Sequence, residues 1–169
     1  MPDKCLKAPV ECEDEELDAD PANKGDPVTG DLDEWGRTAL HYAALHGDLD
    51  ATTRLLTTED VNLPEIHGWT PLHFAAQEAN PAAIERLLDA GADIHAVTEK
   101  GMPAIYWAAT AASGDPVAAI RLLRARGADP RRETIHTYFG LKSALHFINE
   151  TANNPSIQAE FADLTEHRL

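Results

Sequence analysis

Eight histidines and twenty-nine acids stand in this 169-residue chain, enough to build an acid–base or metal site if their spacing allowed it. "GWTPLHFAA", residues 68–76, sets His73 among apolar neighbours. Such a histidine reads either as a general base or as a strut that hydrogen-bonds to local backbone. His41, His73 and His146 close three similar phrases, "TALH", "TPLH" and "SALH". A side chain that recurs at one place in a repeated phrase has a repeated structural job, so the strut is the expectation. His46, His67, His95, His136 and His167 are scattered, and none forms HExxH or another metal-ligand spacing. No nucleophile elbow, phosphate loop or paired-carboxylate motif occurs. Gly25, Gly30 and Gly36 are spaced wrongly for a dinucleotide fingerprint, and Asp31-Leu32-Asp33 is too short for a calcium loop. Cys5 and Cys12 lack CxxC spacing and read as free thiols in a polar tail. No catalytic residue, metal or cofactor is therefore expected.

The net charge is −15, from 14 basic and 29 acidic residues. Such a field repels nucleic acid and anionic membrane and favours a basic partner. No stretch is long and apolar enough to span a membrane, and the N-terminus has no signal-peptide core, so a soluble cytoplasmic protein is expected. The charge is uneven. Residues 11–20, "ECEDEELDAD", hold seven acids, whereas 121–132, "RLLRARGADPRR", hold five arginines and one aspartate. Residues 1–31 carry few large apolar side chains and read as a flexible acidic arm. The arm is a solubility device, a lure for a basic partner, or a segment that folds onto the arginine stretch of its own domain.

The elements that position the histidines repeat. Gly36, Gly68 and Gly101 recur at intervals of 32 and 33. Each is followed by an apolar phrase and then a second apolar run, as in "IERLLDAGAD" and "AIRLLRARGAD". Thr70-Pro71 is a helix start, with a capping hydroxyl and a proline whose fixed φ suits the first helical position. Thr38 and Ser143 keep the hydroxyl, and Pro103 replaces it. Asp48, Asn80-Pro81, Asp115-Pro116 and Asn154-Pro155 start the second helices, and Gly91 and Gly127 end two of them. Leu40, Leu72, Ile105 and Leu145, with the pairs Leu55/Leu56, Leu87/Leu88 and Leu122/Leu123, are the expected core. One helical hairpin cannot enclose these residues, but stacked copies can. Ala43/Ala44, Ala75/Ala76 and Ala108/Ala109 let neighbours approach. Ile148/Asn149 in the fourth copy suit a wetter terminal unit.

A period near 33 with TPLH, AA, LL and GAD in that order resembles the ankyrin repeat. The copy from Gly68 to Asp93 matches almost throughout. The first copy ends in "TEDVN" instead of GAD, the third has Tyr106 in place of histidine, and the fourth has a lengthened loop before it. The expected organisation is an all-α ankyrin-repeat solenoid at 32–169, with repeats at about 33–64, 65–97, 98–130 and 131–165, after the arm at 1–31.

The resemblance implies an L-shaped stack that binds protein through its loop tips and the concave face of its first helices, without catalysis. Carried over by position, tip and groove residues are Glu34, Trp35, Arg37, Leu45 and His46, then Ile66, His67, Trp69, Gln77 and Glu78, then Glu99, Lys100, Met102 and Thr110. Trp107 joins them as an aromatic of a first helix. Trp35 and Trp69, flanking their loop glycines, are the expected exposed anchors, since tryptophan dominates binding hot spots. The segment "RRETIHTYFGLK" is either a specificity element or a bare irregular insertion. The partner is expected to be a basic protein and the free chain a monomer. Small acidic ankyrin proteins also look like the immunity proteins that block bacterial toxins. A generic adaptor, or a metal-dependent enzyme using surface histidines and acids, are the alternatives.

Overall fold

The computed structural model describes residues 31–151 and 154–165. The acidic arm, Cys5, Cys12 and His167 lie outside the described residues. Four helical hairpins stack side by side. Helices α1 (Ala39–His46), α3 (Pro71–Gln77), α5 (Ala104–Thr110) and α7 (Ala144–Thr151) form an inner row. Helices α2 (Leu49–Leu55), α4 (Pro81–Asp89), α6 (Pro116–Ala125) and α8 (Pro155–Ala159) form an outer row, and α9 (Ala162–Thr165) follows. Between α6 and α7 an antiparallel hairpin of β1 (Glu133–Thr137) and β2 (Gly140–Ser143) interrupts the helices.

The second helices start where a short polar side chain meets the first turn. Asp48, Asn80 and Asp115 accept the amides of Ala51, Ala83 and Ala118 at 2.9, 3.1 and 2.9 Å, and Asn154 accepts that of Ser156 at 3.0 Å. The first copy lacks GAD, and its Asn62 binds the corresponding turn of the next repeat. Asn62 accepts the Asp93 amide at 2.7 Å and donates to the Gly91 carbonyl at 3.1 Å.

The core runs between the two rows: Leu40, Leu72 and Ile105 from the inner helices meet Ile84, Leu87, Ile120 and Leu123 from the outer ones, all essentially sealed from water. Each such side chain contributes about 1.5–3 kcal/mol when buried. In each leucine pair one residue is buried and its neighbour (Leu56, Leu88 or Leu122) is half-buried. The last repeat departs from expectation. Ala144 and Ile148, one turn apart, are buried there, while Leu145 and His146 are half-buried because no further repeat covers them among the described residues. Its outer helix is also broken into α8 and α9, with Phe161 fully buried at the break.

The segment expected as a specificity element or a bare insertion is an ordered β-hairpin. Ile135 is buried and pairs with Lys142, the ladder is bulged between Glu133 and Ile135, and Tyr138-Phe139 form the turn. The turn closes through Thr137, whose hydroxyl donates to the Gly140 carbonyl at 2.6 Å and accepts the Phe139 amide at 3.2 Å. Gly140 takes φ 103°, a value side chains disfavour.

Candidate protein-binding face

The loop tips form a ladder along one edge. The amide of Ile66 donates to the Trp35 carbonyl (2.9 Å), that of Glu99 to His67 (2.8 Å) and that of His136 to Lys100 (3.1 Å). The β-hairpin is thus the fourth rung. Each of the first three tips is folded around one polar side chain placed three residues before its glycine. Asp33 accepts the amides of Trp35 and Arg37, both at 2.8 Å. Glu65 accepts those of His67 at 2.8 Å and Trp69 at 3.2 Å, and Thr98 accepts that of Met102 at 3.2 Å. Burial pushes the Asp33 carboxyl up. The Arg37 amide, the Tyr42 hydroxyl at 2.7 Å and the Trp35 amide outweigh it and hold the group below its ordinary range. The column 33, 65, 98 lacks a sequence signature, because three different side chains share one job.

The recurrent histidines tie tip to helix in the first two repeats. His73 Nδ1 accepts the Thr70 amide at 3.1 Å and lies 2.9 Å from the Thr70 hydroxyl. His41 does the same with Thr38, at 3.0 and 3.1 Å. Accepting at Nδ1 leaves the proton on Nε2. That atom of His73 looks toward the backbone of Met102 in the next repeat and of Ala96 at the end of its own, without reaching full hydrogen-bond geometry. Burial pushes His73 down to about 4, against those backbone groups, and pushes His41 down as well. His146 does not repeat the strut. The Ser143 hydroxyl keeps the cap, accepting the His146 amide at 3.3 Å, but the His146 ring turns to Glu150, with Nε2 3.5 Å from its carboxylate.

The concave face carries a strip of aromatic rings. Tyr42, Phe74, Trp107 and Phe147 each follow the histidine position, one per repeat. Of these only Trp107 is among the expected site residues; the four-fold column is the signal for the others. Trp69 lies 4.3 Å from Trp107 and 5.3 Å from Phe74, and Tyr106 lies 5.2 Å from Trp107 and 6.3 Å from Phe147 (ring centroids). The Arg37 guanidinium sits 5.4, 5.8 and 5.9 Å from Phe74, Trp35 and Tyr42, within cation–π range. Arg37, Leu45, Glu65, His67, Trp69, Phe74 and Gln77 line a groove of about 380 Å³. A second hollow of about 230 Å³ continues from Gln77 to Glu78, Trp107 and Thr110.

The expected site residues thus separate into groups. Trp35 (41% exposed) and Ile66 (58%) stand at the tips beside exposed Glu34, His67 and Glu99. His67 approaches Glu99 at 3.4 Å. Arg37, Gln77, Glu78 and Trp107 line the groove, His46 stands exposed above Tyr42, and Glu78 accepts the Ser113 hydroxyl at 2.7 Å. Met102 is half-buried against the core. Trp69 needs correcting: it is not a free anchor but a half-buried wall of the groove, covered by Trp107 from the next repeat. Three of the five arginines in the 121–132 stretch are already paired. Arg121 pairs with Glu160 at 2.7 Å, Arg124 with Asp163 at 2.6 Å, and Arg126 with Asp89 at 2.7 Å and Glu85 at 3.2 Å. These three cations lace the outer helices together. Among the described residues no group of three or more histidines, cysteines or acids is placed to hold a metal, and no helix is long and apolar enough to cross a membrane.

Comparison with known proteins agrees with this geometry. The family model for ankyrin repeats (three copies) matches residues 15–98, about half of the chain, and so begins within the segment read as an arm. Ankyrin repeat protein nuc-2 of Neurospora crassa is 38% identical over 80 residues, which are 46% of this chain and 8% of that protein. Neurogenic locus notch homolog protein 1 of Xenopus tropicalis is 30% identical over 132 residues, covering 57% of this chain and 5% of its own length. Regulatory protein NPR3 of Arabidopsis thaliana is 35% identical over 68 residues, 39% of this chain and 12% of its own. The chain therefore spans only a small part of each relative. With helix pairs, tip ladder and threonine–histidine struts in repeating register, the chain belongs to the ankyrin-repeat family and is a protein-interaction module.

Proposed function

We propose that the protein is a non-catalytic module that binds a basic protein across its concave face and loop tips. The carrying observation is the strip of half-buried rings Tyr42, Trp69, Trp107 and Phe147, laid over the buried Phe74 along the inner row beside an open groove. Aromatic rings supply large contact area at little entropic cost. Around the strip stand the carboxylates of Glu34, Glu78, Glu99 and Glu150, while the nearby Arg37 is occupied by three aromatic rings. That balance, with the net charge of −15, steers a cationic surface toward the face.

The free protein acts as a monomer in the cytoplasm, and its narrower role is immunity: the concave face occludes the active site of a cognate toxin. The acidity of the chain supports that role. The experiment is affinity capture with the full chain from extracts of the source organism, at about 50 and about 500 mM salt. The wild type is expected to hold a basic protein at low salt and release most of it at high salt. The Gln77→Arg/Glu78→Arg variant, reversed in charge within the groove, should lose it while keeping the same thermal midpoint. Equal retention of that protein by the variant would place the binding surface elsewhere. A captured partner that kills cells, and is silenced by an equimolar amount of this chain, selects immunity; a harmless partner selects the adaptor role.

A further inference from the structure

The β-hairpin breaks the acidic character of the chain. Residues 131–143 carry Arg131, Arg132 and Lys142 against Glu133 alone, in a protein of net charge −15. Arg131 is held by Asp129 at 3.2 Å. Lys142, Arg132 and Lys100, whose carbonyl receives the hairpin's His136 amide, make no ion pair among the described residues. The same hairpin exposes Tyr138 (97%), Phe139 (87%) and Leu141 (48%). Exposed aromatics at the turn, with cations that have no ion-pair partner among the described residues, suit a cover that is both apolar and acidic.

The geometry points to a cover within the chain: we propose that the acidic segment 11–20 docks on the hairpin, against Lys100, Arg132 and Lys142. Charge is complementary, because that segment holds seven acids and no base, with Leu17 among them to meet the apolar tip. Reach is sufficient. Asp31, the first described residue, lies two residues before Asp33 at the first rung of the tip ladder, and the hairpin is the fourth rung. Three repeat steps of about 8–10 Å span about 24–30 Å. The eleven residues from Asp20 to Asp31 extend to about 36–40 Å. The arginines of α6, richer in charge by sequence, are already taken by Glu85, Asp89, Glu160 and Asp163 and offer no rival site. A docked arm neutralises the hairpin and must be displaced by any partner that uses the fourth rung.

The lysines make the test specific. Of five in the chain, Lys4, Lys7 and Lys24 lie beside the acidic segment, and Lys100 and Lys142 lie at the proposed site. The full chain is treated at low concentration with a zero-length carbodiimide, which joins a carboxylate to an amine only when the two touch, and the products are mapped by mass spectrometry. Links from residues 11–20 to Lys100 or Lys142 are expected in the monomeric product. They should fall at least about fivefold at 0.5 M salt, where the Debye length is only a few ångströms. Arg132→Glu, which leaves every reacting carboxylate and lysine in place, should reduce them by a similar factor without moving the thermal midpoint. Links confined to Lys4, Lys7 and Lys24, with none at the hairpin, would overturn the proposal. So would hairpin links found only in a dimer, or links unmoved by salt.

Discussion

His73 illustrates how a reactive side chain is disarmed by position. Its Nδ1 must be unprotonated to accept the Thr70 amide, and burial enforces that by lowering its pKa to about 4. An unfolded histidine titrates near 6.5. The folded pKa is below the unfolded one, so the unfolded state takes up protons first on acidification. The stabilisation is complete above about pH 6.5 and is lost as pH falls toward 4. Urea unfolding at pH 7.5 and 4.5 should show the wild type losing about 2–3 kcal/mol more than His73→Gln, with His41 acting in the same direction. An equal loss in the two proteins would contradict neutral burial. The strut itself was legible, because a recurring histidine beside a recurring hydroxyl needs only local geometry. The exposure of Trp69 was not, because Trp107, 38 residues further on, covers it. Trp69→Ala and Trp107→Ala should therefore be non-additive in a double-mutant cycle, with a coupling of about 0.5–1.5 kcal/mol. Additive losses would mean that the two rings act independently.

At the scale of elements, the caps were readable and the hairpin was not. Asp48, Asn80, Asp115 and Asn154 each act within three residues of themselves, so sequence alone placed four helix starts. Asp48→Ala should cost about 1 kcal/mol in chemical unfolding, with no change in the far-ultraviolet spectrum of the folded protein. The hairpin depends on a contact made at a distance. Gly101, at φ 80°, lets the third tip press against the backbone of Thr134 and Ile135, and an added Cβ would collide with the Thr134 carbonyl. Gly101→Ala should lift the hairpin off its rung, speeding hydrogen exchange at the His136 amide at least about tenfold while the amides of α3 keep their protection. Unchanged exchange at His136 would show that the hairpin stands without this contact. The β-branched and aromatic run "TIHTYF" held a strand signal, but the expectation of a purely helical repeat masked it.

The whole molecule is a row of units whose interfaces set both stability and function. The fourth repeat is held to the third by Phe161, buried under the Arg124 guanidinium at 5.8 Å, and by the Arg121–Glu160 and Arg124–Asp163 pairs. In a one-dimensional stack each unit is held by its nearest neighbours, so loss of one interface uncouples the units on either side of it. Phe161→Ala should cost about 3–5 kcal/mol and separate the unfolding of the fourth repeat from that of the first three. A single transition at the wild-type midpoint would show that the ring is not part of the interface. Sequence by itself determined the repeat, the helix pairs, the caps, the histidine struts and the acidic balance, because each depends on neighbours along the chain or on composition. Tertiary structure decided which aromatics are open, which arginines are spent, where the insertion folds and how the tips join. Those depend on what one repeat places against the next, across separations of about thirty residues and more, and no local pattern encodes that contact.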